Sequence, residues 1–288
     1  MHLISFRRTI KLNTTGCLGV AILLIIVSLA VAAPLFTKYD PHAYTGLIFQ
    51  RPSSQFWMGT NDVGQDVWSN LLYGGRTSLI VGFGAASLSL LISVLVGCLA
   101  ALFGGICDNA LMRLVDVILA IPPIVLILLI AAYLKPSMFI LILLLSFFLW
   151  PSGARIVRAQ VLLLKSSTHI NAARTFGAGL FYLIWRHIIP EMGPILCVLL
   201  IQNARKAVFM EAGLSFLGVS DPTIISWGKM MQQALSFSYM DVWKWCLLPA
   251  GMALSLNITG LMLISFSLES VLNPRLQGRK DKDYVAGY

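Results

Sequence analysis

The stretch NAARTFGAGLFYLIWRHIIP, Asn171–Pro190, decides how this chain is read. It is basic and amphipathic, and it lies between two long apolar runs. Ala172 and Ala173 are small enough for another backbone to approach, while Phe176, Leu180, Leu183 and Ile184 form an apolar stripe at helical spacing. Gly177 can end a helix or turn the chain sharply between two short helices. A loop over about 159–189 with these properties fits a groove on a cytoplasmic partner, which makes the chain one subunit of a larger membrane assembly. The alternative is a helix lying flat on the membrane, with Arg174 and Arg186 held against anionic lipid.

Working outward, the flanking composition places the chain in a bilayer. Of 288 residues, 58% are hydrophobic and only 11% charged, with a mean hydropathy of +0.82, too little polar surface to cover a water-soluble domain. A membrane-spanning helix needs about 20 mostly apolar residues. Six segments qualify: about 16–36, 77–103, 114–134, 138–158, 191–212 and 247–268, of which the first, third and sixth are cleanest. Pro151 and Gly153 interrupt the fourth, and Arg205 and Lys206 sit in the fifth, so these two rest partly on consistent alternation. The expected fold is an all-α integral membrane protein with six transmembrane helices.

The net charge of +9 reports orientation rather than nucleic-acid binding. With the N-terminus inside, thirteen Lys and Arg residues fall on the cytoplasmic side, among them Arg7, Arg8, Lys11, Arg113, Arg155, Arg158, Lys165, Arg275 and Arg279, against six outside. That bias predicts a cytoplasmic tail over 1–15 and another over 269–288. The first apolar segment has a basic flank but no clean A-x-A cleavage pattern after it, so it reads as a retained helix.

Chemistry-bearing motifs are sparse. Cys17, Cys98, Cys107, Cys197 and Cys246 form no C-x-x-C pair, and His2, His42, His169 and His187 show no ligand spacing, so no dedicated metal site is expected. There is no G-x-x-x-x-G-K-[ST] phosphate loop and no Ser-His-Asp arrangement. The expectation is a chain that is not an enzyme and binds no cofactor itself.

The first outer loop, 37–76, carries a segment from Phe56 to Leu79 in which Val63, Val67, Leu71 and Leu72 suggest an interfacial helix before the second span. The second, about 213–246, offers Trp227, Trp243 and Trp245 as membrane-interface anchors, with the headgroup reading favoured for the last two. The connection at Lys135–Ser137 is only a turn.

Charged residues inside spans raise a functional question, since an unpaired charge in hydrocarbon is costly. Asp116 has Arg113 as a natural i,i+3 partner, read as a structural pair. Arg205 and Lys206, followed by Glu211, permit two readings: a positive pathway lining for carboxylate-bearing cargo, or an ion pair with Glu211 or with a neighbouring subunit.

Asn171-Ala172-Ala173, Gly177 and Ile189-Pro190 match the spacing of the EAA loop of ABC-importer permeases, E-A-A-x3-G with I-x-L-P about ten residues on. Asn171 stands where the family usually has Glu, and His187 and Ile189 replace Ile and Leu. GTNDVGQDVWSNLLYGGRTSL is similar to GTDxxGRDxxSRLxxGxRxSL of the oligopeptide/dipeptide/nickel branch. RLVDVILAIPP resembles its RxxDxxxxxP, and EAGLSFLGVSDPTIISWGKMM resembles its EAxLSFLGLGxxPPxxxWGxML. In order and coverage the chain resembles the shorter, C-type permease of that branch.

The resemblance implies a type I importer permease whose core spans 77–268. It implies pairing with a homologous B-type permease, two cytoplasmic ATPase subunits that use ATP, and an extracytoplasmic substrate-binding protein. Asn171, Ala172, Ala173, Arg174, Gly177, Ala178, Ile189 and Pro190 would form the ATPase-coupling loop, with Asn171 still able to cap a helix. The cargo would be a peptide, nickel or a metal–chelator complex. The competing class is a non-conducting membrane scaffold that only recruits a cytoplasmic partner.

Overall fold

A computed structural model describes residues 13–45, 47–133, 137–221 and 223–272. The tails read from the charge bias fall largely outside these residues, as does the turn at Lys135. The helices are α1 (Thr14–Val31), α2 (Ala33–Phe36), α3 (Val67–Phe103), α4 (Gly105–Ala120), α5 (Pro123–Tyr133) and α6 (Met138–Lys165), followed by α7 (Thr168–Thr175), α8 (Leu180–Leu183), α9 (Ile189–Phe216), α10 (Trp227–Leu235) and α11 (Trp243–Leu272). A single π-type turn, Ile184–Ile188, joins α8 to α9. Five of the described helical runs are long and apolar enough to cross a membrane, and the bent pair α4–α5 makes a sixth. We call the end carrying 166–188 the inner end, following the orientation predicted from charge, and the opposite end the outer.

The third span departs from expectation. Instead of one clean helix over 114–134, the chain runs as α4 and α5 with a bend of 79° between them. Pro122 and Pro123 explain it: neither supplies an N–H, and the residue before a proline is pushed out of the helical region. Ile121 accordingly adopts an extended conformation, φ −93° and ψ 129°. Pro151 has no such effect on α6, which runs unbroken for 28 residues. There the Ser93 hydroxyl reaches across from α3 and donates to the Trp150 carbonyl at 2.8 Å, a polar contact between the two helices beside the proline.

The second span is longer than its apolar stretch. α3 has 37 residues, about 55 Å at 1.5 Å per residue, and begins at Val67. Among the described residues no separate interfacial helix precedes it; Val67, Leu71 and Leu72 of the predicted one form the outer extension of the span itself, while Val63 lies in the turn before it. Asp66 caps it, its Oδ2 accepting from the Ser69 N–H at 2.9 Å. At the other end, Lys165 Nζ donates to the carbonyls of Ala101 and Leu102, a cation placed on the negative end of the helix.

α3 is the axis of the bundle. It packs closely on α6, because Gly97 faces Val157 and Ala154: a Cβ there would lie 2.7 Å from Val157 Cβ and 2.8 Å from the Ala154 carbonyl oxygen. Small residues at such contacts replace the hydrophobic drive that lipid does not supply. α9 lies against another face of α3 and against α11, whose Leu261 is buried with Ala86 and Ala204. α1 covers α11, and Arg76 of α3 donates to the Ala30 and Val31 carbonyls at the outer end of α1.

Parts of the outer loops fold against the bundle. Trp227 is 3% exposed, and its Nε1 donates to the Leu71 carbonyl at 3.0 Å. Trp245 packs against the Gly59 backbone. Of the three predicted anchors, only Trp243 keeps a substantially exposed ring.

Candidate coupling surface and intramembrane charges

The inner loop is built as its residues suggest. α7 carries Asn171, Ala172, Ala173 and Arg174, and it ends in a Schellman motif. The Ala178 N–H bonds to the Ala173 carbonyl at 3.1 Å and the Gly177 N–H to the Arg174 carbonyl at 2.9 Å. Gly177 sits at φ 84°, a conformation that L side chains rarely adopt, and nothing lies within 4 Å of where its Cβ would be. The requirement for glycine there is conformational, not steric.

The apolar stripe divides. Ile170, Leu183 and Ile188 are buried at the inner end of the bundle with Val157, Val161 and Met192. Ala173, Ala178 and Ile184 pack at the edge of that cluster. Phe176, in contrast, is 90% exposed, Phe181 75% and Trp185 60%, with Leu180 also exposed. One side of the loop is therefore anchored into α6 and α9, and the other presents aromatic rings outward. His169 Nε2 and Glu191 Oε2 approach to 3.2 Å, tying α7 to the first turn of α9. Ile189 opens α9 and Pro190 is its second residue.

Asn171 does not cap α7. Ser167 is the N-cap residue, and Asn171 lies inside the helix, its Nδ2 reaching back to the Ser166 carbonyl at 3.4 Å. The side chain is exposed, so a Glu at this place would also project from the surface.

The intramembrane charges find partners other than those predicted. Asp116 bonds to Arg155 of α6 and not to Arg113, which is exposed and forms no ion pair among the described residues. Two turns earlier along α4, Asp108 takes both Nε and Nη2 of Arg158, at 2.5 and 2.6 Å. α6 brings an arginine to each carboxylate of α4, and these inter-helix pairs replace the expected i,i+3 pair. In the sequence Arg155 and Arg158 carry only an orientation signal, and nothing local marks them as ion-pair partners.

Glu211 forms no ion pair with Arg205 or Lys206. It is 1% exposed, and hydroxyls surround it: Ser78 of α3 donates to Oε2 at 3.0 Å, and Ser215 to Oε1 at 2.8 Å. Ser226, the residue capping α10, is a third hydroxyl partner. Glu211 thus ties together α3, α9 and the start of the outer helix. The ion-pair reading within this chain is removed, because the Glu211 carboxylate takes its hydrogen bonds from hydroxyls and forms no salt bridge with either cation. Arg205 is half-buried with its Nε unbonded among the described residues, and Lys206 is exposed.

Residues 93–278, which hold both α4–α6 and the inner loop, match the family described as "Binding-protein-dependent transport system inner membrane component". The chain belongs to this family. The permease is 34% identical to the oligopeptide transport system permease protein OppC of Bacillus subtilis over 92% of its own length and 87% of that protein's. It is 37% identical to a Brucella suis protein described as a peptide transport system permease, over 90% and 88% of the two chains. The resemblance read from its motifs is thereby borne out, as is the six-span helical architecture. The permease is a multi-pass inner-membrane transporter subunit.

Proposed function

We propose that the permease forms half of the translocation pathway of an ATP-driven, binding-protein-dependent importer of peptides. In this reading it pairs with a homologous B-type permease, both termini lie in the cytoplasm, and two ATPase subunits supply the energy. Loop 168–188 is the coupling element. Nickel or a metal–chelator complex is the other cargo class, and peptide is preferred because the relatives' names specify peptides or oligopeptides.

The observation that carries the proposal is the two-sidedness of the loop. Buried Leu183 and Ile188 fasten it to the inner ends of α6 and α9, while exposed Phe176, Phe181 and Trp185 offer a docking surface. A handle that is rigid towards the spans and apolar towards a moving partner transmits motion, provided its contacts differ between the partner's two states. The chain itself contributes no residues for ATP hydrolysis in this scheme; the ATPases bind the nucleotide.

Cysteines placed at Asn171 and Phe176 are expected to cross-link to the ATPases, with a pattern that changes on adding ATP. Vesicles containing the whole complex and a binding protein should accumulate peptide in an ATP-dependent way. Cross-linking without accumulation would leave the scaffold class standing; extrusion of cargo without a binding protein would reverse the direction.

A further inference from the structure

At the outer end, the segment leading into α3 and helix α10 enclose a small open-sided cleft whose walls include Phe49, Asp62, Asn70, Gln233, Phe237 and Cys246. Two acceptor oxygens there are buried without a partner among the described residues: Oδ1 of Asp62 and Oδ1 of Asn70. Asn70 is only 4% exposed, and its amide nitrogen is committed to Gln65 Oε1 at 3.2 Å, which leaves its oxygen unmatched. Buried acceptors without donors cost free energy, and a carboxylate oxygen costs most. No Lys or Arg lines the cleft.

The remaining wall is suited to a cation. Phe49 and Phe237 meet edge to face with ring centroids 4.9 Å apart, and aromatic faces attract ammonium and guanidinium groups. Val67, Met230 and Val242 complete the wall and are each nearly buried, so only the head of a ligand enters and its stem leaves through the open side. Phe49 holds φ at 53°, unusual for a bulky residue, so the loop accepts strain where this ring meets the cleft.

We propose that this cleft binds the cationic nitrogen of a small organic ammonium or guanidinium group, with Asp62 Oδ1 and Asn70 Oδ1 accepting its N–H donors. Such groups are donors without acceptors, which matches two bare oxygens. Their single charge matches the one carboxylate. A calcium ion needs six or more oxygen ligands, which the cleft does not assemble, and an anion meets the Asp62 charge. Water can donate to the same oxygens but leaves that charge unneutralised. The site stands independently of the transport reading, since it rests on the outer loops alone.

The test is thermal unfolding of the full-length chain in nanodiscs with n-butylammonium chloride, compared with equal sodium chloride and with 1-pentanol as the neutral isostere. A saturable rise in the unfolding midpoint is expected with n-butylammonium only, because a ligand that binds the folded state alone stabilises it. Asp62→Asn should abolish the rise. Asn70→Lys supplies an ammonium from within and should also remove the response. No rise in the native protein, an equal rise with 1-pentanol, or a rise retained in Asp62→Asn overturns the proposal. Should that variant fail to unfold cooperatively, retention of the rise in Asn70→Lys overturns it instead. Trialanine amide against N-acetyl-trialanine amide then separates the sources. A shift with the free amine alone assigns the site to a peptide N-terminus, and no shift with either reserves it for a side chain of a neighbouring protein.

Discussion

Asp116 on α4 accepts a hydrogen bond from the Arg155 guanidinium on α6, and about half of each side chain remains exposed on the flank of the bundle. Charges among membrane helices seldom face lipid tails, because the cost is several kcal/mol or more. The expectation is that this flank meets protein or water rather than lipid tails. Arg155→Glu, which sets two carboxylates face to face, should reduce recovery of the assembled complex. Combining Asp116→Arg with Arg155→Asp should restore much of it; a double swap no better than the single variant would show that the pairing contributes nothing.

Glu211 supports a different kind of prediction, because its partners are hydroxyls. Glu211→Leu strands the buried Ser78 and Ser215 hydroxyls and is expected to cost about 1–3 kcal/mol. Glu211→Gln keeps an acceptor and should cost less. Thermal unfolding of the two variants in nanodiscs checks the order, and a leucine variant as stable as the glutamine one would contradict it.

Two glycines should respond to alanine for opposite reasons. Gly97→Ala drives a methyl group into Val157 and Ala154, an overpacking cost of about 1–3 kcal/mol that a smaller residue at 157, Val157→Ala, should partly relieve. Gly177→Ala meets no neighbour and carries only the left-handed backbone penalty, about 1–2 kcal/mol. Its effect should appear as a loosened inner loop in hydrogen exchange, with the unfolding of the spans unchanged.

In the second outer loop, Asp221 has its carboxyl held below the ordinary value, chiefly by the Thr223 hydroxyl and then by the Thr223 backbone N–H. A lowered folded value means that the stabilisation is complete above the unfolded-chain value and is lost as pH falls through the lowered one. Changes of pH around neutrality should therefore have no effect on this turn. Thr223→Val removes the larger contribution and should move the acid-induced opening of the loop to higher pH, read by hydrogen exchange at residues near 224.

Much of the inner loop is legible in the order of its residues. The glycine at 177 is the C′ residue of a Schellman motif, a purely local device, and its signal lies within a few residues of sequence. The division of the apolar stripe into buried Leu183 and exposed Phe176 is not legible there, because helical spacing says which residues share a face but not what covers it. The bend at Ile121 is legible in principle from the Pro122-Pro123 pair, yet hydropathy alone makes the segment look continuous. Asn171 resembles a cap in the sequence, but the helix start is set by Ser167, four residues earlier.

The sequence by itself determined the number of spans, the helical class and the place of the inner loop. In hydrocarbon each segment must satisfy its own backbone hydrogen bonds, so a local run of apolar residues is enough to specify a helix. Only the tertiary structure decided which charges and hydroxyls meet. Arg155 lies 39 residues from Asp116 and Ser78 lies 133 from Glu211, and their encounter depends on how α3, α4, α6 and α9 pack, a geometry fixed by close contacts such as Gly97 on Val157 rather than by any local pattern.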